Sequence, residues 1–165
     1  MTTLNNPDTP TPCNQKKTMV LGVGNLLLSD EGVGVHVVKQ LMGMALPPGV
    51  EVIDGGVSGL GLMGTLIGAD RLIVIDAVRA GEAPGSIYRF GIEDLTKYPE
   101  RYKMSVHEIG IVEVLHLSRL LDRTPKTTII GVEPKSLEMG MDLSPEIHAR
   151  VPRIIELVLN ELNQP

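Results

Sequence analysis

The residues equipped for chemistry stand directly behind apolar runs. After residues 18–23 (TMVLGV) comes Gly22-Val23-Gly24-Asn25-Leu26-Leu27-Leu28-Ser29-Asp30-Glu31. After residues 50–54 (VEVID) comes Asp54-Gly55-Gly56, and after 71–76 (RLIVID) comes Asp76-Ala77. A fourth loop supplies Ser105-Val106-His107-Glu108 ahead of an amphipathic stretch. Glu31, Asp76 and His107 together offer mixed oxygen and nitrogen donors that suit a borderline divalent metal. Three protein ligands leave one coordination position open, as catalytic metal sites do.

Local context supports each choice, and each also has a plainer reading. With Ser29 as N-cap, Glu31 falls in the first turn of a helix, where the macrodipole favours a carboxylate. Ser105 and Glu108 make an S-x-x-E capping box that sets His107 in a first turn, where the dipole favours the neutral, ligand-competent imidazole. The plain readings are a dipole partner for Glu31, a turn cap for Asp76 and a surface or core histidine for His107. Asp54 is a secondary candidate, since an Asp before two glycines also suits a turn. His36, His116 and His148 fall within helical patterns and read as non-functional. His107-Glu108 starts like a zincin H-E-x-x-H, but Ile111 stands where the second His belongs.

Gly22 and Gly24 also invite a dinucleotide reading. Leu27 occupies the place of the third glycine, and Asp30 with Glu31 would repel a pyrophosphate at that helix start. A nucleotide-binding doubly wound enzyme is therefore the weaker alternative.

These loops need a scaffold that brings strand ends together. The apolar runs at 18–23, 50–54, 71–76 and 127–132 read as buried strands, and 86–90 alternates like an edge strand. Between them lie helical patterns at about 29–42, 60–67, 105–121 and 145–162. Strands alternating with helices predict an α/β fold. Its three layers would be α/β/α around a twisted, mostly parallel five-stranded sheet with ligands at the carboxyl ends of its strands. Residues 1–17, rich in Thr, Asn and Pro, read as a disordered tail, and 18–165 as one domain.

Composition narrows the function classes. Fifteen Lys and Arg against twenty Asp and Glu leave a net charge of −5, and aromatics are 2%. Neither suits a nucleic-acid partner, which needs clustered cations and stacking rings. No apolar stretch reaches the roughly 18 residues of a membrane span. Cys13 is the only cysteine, which fits a reducing compartment, so the expected location is the cytoplasm.

The segments GVGNLLLSDEGVGVH (22–36), DGG (54–56), IDAV (75–78), SVHEIG (105–110) and GVEP (131–134) resemble the hydrogenase maturation endopeptidases, in order, over about 19–162. The resemblance implies an α/β/α peptidase that removes the C-terminal extension of a nickel–iron hydrogenase large-subunit precursor after nickel insertion. It implies metal contact at Glu31, Asp76 and His107, with the nickel carried by the substrate and other divalent metals able to occupy the site. It further implies an aspartic-type classification and, as partners, the precursor and other maturation accessory proteins. A non-catalytic maturation chaperone is the second alternative.

Overall fold

The computed structural model describes residues 16–58, 61, 63–66, 68–97, 103–104 and 124–164. Its strands are β1 (Thr18–Val23), β2 (Val50–Gly56), β3 (Arg71–Arg79), β4 (Ile87–Gly91), β5 (Lys103–Met104) and β6 (Lys126–Val132). Five of them form one sheet in the order β2-β1-β3-β6-β4, and the short β5 pairs with the end of β3. β1, β2, β3 and β6 are mutually parallel, whereas β4 runs antiparallel along the edge. The sheet matches the expected mostly parallel, five-stranded architecture.

Alternation along the strands sends side chains to two cores, one on each face. On β3, Ile73, Ile75 and Ala77 join one cluster, and Leu72, Val74 and Val78 join the other. The first face is covered by α1 (Val33–Leu41), which buries Val33, Val37, Val38 and Leu41. The second takes Leu66 of α2 (Met63–Leu66) and Ile92 of α3 (Ile92–Lys97). Each fully buried Val or Leu contributes about 1.5–3 kcal/mol, so both faces hold the sheet.

The expected C-terminal helix at 145–162 is two helices, α4 (Pro145–His148) and α5 (Val151–Leu162). Pro152 has no N–H to offer the carbonyl of His148, which interrupts the ladder. The break lets Ile147 enter the same core as Val151, Ile154 and Val158. The helix expected at 105–121 lies outside the described residues, as do residues 1–15 and Cys13. Lys17, grouped with the tail by composition, already engages the domain: its N–H donates to Asp70 Oδ2 at 2.7 Å.

At the amino end of the sheet, Glu161 of α5 is buried among cations. It pairs with Arg71 at 2.9 Å and Arg89 at 2.8 Å and accepts a hydrogen bond from Thr128 Oγ1. Burial alone would raise the Glu161 carboxyl, but the two arginines and Thr128 outweigh it and hold it below the usual range. This staple lies at the far end of the strands from the candidate residues. The strand order places a topological switch between β1 and β3, because the chain leaves β1 toward β2 and returns to β3 on the other side.

Candidate active site

Main-chain contact fixes the turn that follows β1. A Cβ on Gly24 would lie 1.8 Å from the Glu31 carbonyl oxygen, and one on Gly22 would lie 2.2 Å from that of Gly34. A Cβ on Gly34 would meet the Ile75 carbonyl oxygen at 2.1 Å and that of Val23 at 2.4 Å. The backbones of β1, β3 and the start of α1 therefore touch directly. Gly24 also has φ +135°, a conformation side chains rarely allow, and its N–H donates to Gly56 at 2.9 Å. The G-x-G of β1 is thus a packing device. The place a phosphate would need is filled by the chain itself.

Residues Ser29–Gly32 form a 3-10 turn leading into α1. Ser29 is not the expected N-cap. Its φ of +48° turns the side chain away, and its hydroxyl donates to the Glu138 carbonyl at 2.9 Å. Leu28 holds the cap position of the turn, with no side-chain hydrogen bond. Glu31 still stands at the start of the helical segment, now in the 3-10 turn.

Asp30 and Glu31 are both buried but differ in what surrounds them. Asp30 accepts from the backbone N–H groups of Lys135, Ser136 and Ser144 and from the Ser144 hydroxyl, all within 2.7–2.9 Å. Glu31 is 3% exposed, and among the described residues its Oε2 has no hydrogen-bond partner. Burying a carboxylate oxygen without a donor is costly, so such an atom suits a cation or a proton.

Asp76 is fully buried, and its Oδ1 accepts from the Ala77 N–H at 2.7 Å. It does not end its strand as the sequence suggested. β3 continues to Arg79 because Ala77 pairs with Val132 of β6, and Val78 and Arg79 pair with β5. β1 pairs with β3 only as far as Gly22 opposite Ile75, so Asp76 sits one residue past that pairing, at the switch point. The Ser29–Gly32 turn packs against β3 there, which brings the Glu31 segment to the strand that carries Asp76.

Asp54 is exposed, and its Oδ1 accepts from the Gly56 N–H at 3.0 Å, the turn role considered from sequence. β2 runs on through Gly55 and Gly56. His107, with its capping pair Ser105 and Glu108, lies outside the described residues. Among the described residues no three His, Cys, Asp or Glu side chains group to hold a metal ion.

At this end of the sheet, two buried acids escaped the sequence reading of roles. One is Asp30, noted only as a charge near Glu31. The other is Glu133, whose Oε2 accepts from the Ala80 N–H at 2.8 Å and the Tyr88 hydroxyl at 2.6 Å. It pins the β3–β4 loop, and burial together with Glu133 pushes the Tyr88 hydroxyl well above its usual range. An acid directly behind the buried strand β6 was the available signal.

Fold and site define a doubly wound α/β domain with buried carboxylates at the carboxyl end of its sheet. The family model described as hydrogenase maturation protease matches residues 35–161. The hydrogenase 2 maturation protease of Escherichia coli is 37% identical over 90% of this chain and 92% of its own. The hydrogenase expression/formation protein HupD of Bradyrhizobium diazoefficiens is 37% identical over 93% of this chain and 81% of its own. The solved structure of the E. coli hydrogenase maturating endopeptidase HybD superimposes with a TM-score of 0.81 at 38% identity, covering 88% of this chain and 91% of that one. The chain belongs to the hydrogenase maturation protease family, and it is a peptidase. The nucleotide-binding and chaperone alternatives are not favoured.

Proposed function

We propose that this chain works in the cytoplasm, removing the C-terminal extension of a nickel–iron hydrogenase large-subunit precursor once nickel has been inserted. Glu31, Asp76 and His107 form the site and recognise nickel that the substrate carries. The observation that supports this reading is the buried Glu31 Oε2 with no described partner, beside a strand that carries a second buried carboxylate. Such a donor set fits a divalent cation supplied from outside.

Hydrolysis adds water to the scissile carbonyl carbon and breaks the C–N bond. One water proton leaves to a base, and the amine nitrogen gains a proton as it departs. A buried carboxylate within hydrogen-bond reach of the water can accept that proton. Nickel held by the substrate would orient the precursor against the carboxylates, so an unloaded precursor would be misplaced.

The test compares nickel-loaded with apo precursor under one enzyme preparation, reading the product's C-terminus by mass spectrometry. Cleavage of the loaded form alone is expected. Equal rates for the two forms would remove nickel recognition, and unchanged length for both would mean that this precursor is not the substrate.

A further inference from the structure

The loop 134–144 is held in place at many points and packs Leu143 against the core, yet it turns both of its methionines outward. Asp30 takes four of its donors, Ser29 Oγ donates to Glu138, and His36 Nε2 lies 3.2 Å from the Met141 carbonyl oxygen. A parallel bridge pairs Leu28 with Gly140: the Gly140 N–H donates to Leu27 at 3.0 Å, and the Ser29 N–H donates to Gly140 at 2.7 Å. The bridge register puts Leu27 opposite Met139, with Met141 two residues further along the loop. These three side chains are 58%, 88% and 64% exposed. Ordering a loop this thoroughly costs backbone entropy, and the two methionines return little of it by burial.

We infer that Leu27, Met139 and Met141 are a docking ridge for the folded surface of the protein substrate beside its scissile segment. The inference rests on the proposed processing of the large-subunit precursor. The ridge is continuous with the site, since Leu27 leads directly into the turn carrying Glu31. A peptidase whose substrate is a folded protein needs a surface beside its cleavage site on which to seat it. Apolar, conformationally adaptable methionines suit such a contact, and Asp30 ties their loop to the residue next to Glu31.

The test pairs Met139→Asp with Met141→Asp in the full chain and adds a Met139→Leu/Met141→Leu control. Purified nickel-loaded large-subunit precursor is the probe, in a binding assay and in cleavage. The Asp pair should bind about tenfold more weakly, with KM raised to match, kcat at saturation unchanged and the melting temperature held. The Leu pair should behave as wild type. Equal binding by the Asp pair would overturn the ridge, and so would a loss confined to kcat. A wild-type dimer that the Asp pair splits would also overturn it, by giving the surface to a second copy. Precursor that binds wild type uncut, and fails to bind the Asp pair, would uphold the ridge while ending the proposed processing of that precursor.

Discussion

Asp30 and Glu31 show how adjacent residues of similar chemistry take different work. Asp30 satisfies four donors, so Asp30→Ala would leave three part-buried N–H groups and the Ser144 hydroxyl without their acceptor, at roughly 1 kcal/mol each. Its melting temperature should drop by many degrees. Glu31→Gln keeps the side chain's volume and loses no described hydrogen bond at Oε2, so it should melt near wild type while cleaving far more slowly. Thermal denaturation run beside the cleavage assay checks both. If Glu31→Gln melted as early as Asp30→Ala, Glu31 would be a structural acid. The sequence placed both acids at a helix start, but it could not separate them. Asp30's partners lie more than a hundred residues away, at Lys135, Ser136 and Ser144, and no local pattern announces them.

At the scale of elements, strands were the most legible, because long apolar runs such as Arg71–Arg79 have few other uses. Their ends were less so. β3 outlasted its expected stop at Asp76 because pairing with β5 and β6, which is non-local, decides where a strand ends. The G-x-G at the end of β1 was ambiguous for the same reason: only the position of Gly34, twelve residues on from Gly22, shows that it packs a helix. Gly34→Ala should therefore be severe. Its methyl would meet backbone oxygens of Ile75 and Val23 that cannot turn aside, a cost of about 1–3 kcal/mol or more. The shift would displace the Ser29–Gly32 turn, so cleavage should be lost even below the melting transition. Gly64→Ala, whose methyl would meet nothing within 4 Å, should melt at or slightly above wild type and keep full activity.

Across the whole molecule, stability and chemistry occupy opposite ends of the sheet. Glu161 has a folded pKa below its unfolded one, so its stabilising effect is complete above about pH 4.3 and is lost as pH falls through the folded value. Wild-type melting temperature should thus fall more steeply than that of Glu161→Gln between about pH 5 and 3. At neutral pH Glu161→Gln should cost on the order of 3 kcal/mol, because it leaves the largely buried Arg71 without its anion. Cleavage per folded molecule should not change. A matching pH slope in the two proteins would show that the staple carries no linkage.

The three glycines that join β1, β3 and α1 carry a consequence for how this chain can vary. Peptide atoms have one size whatever side chains surround them. The offset between the sheet and the turn bearing Glu31 is therefore a length set by backbone geometry, indifferent to the volumes of Val20, Val37 or Ile73 around it. Those core positions can drift among aliphatic residues, loosening or tightening the domain, while the carboxylate keeps its place. Gly22, Gly24 and Gly34 have no such latitude, so freedom and constraint are divided in this protein at the positions that have no side chain.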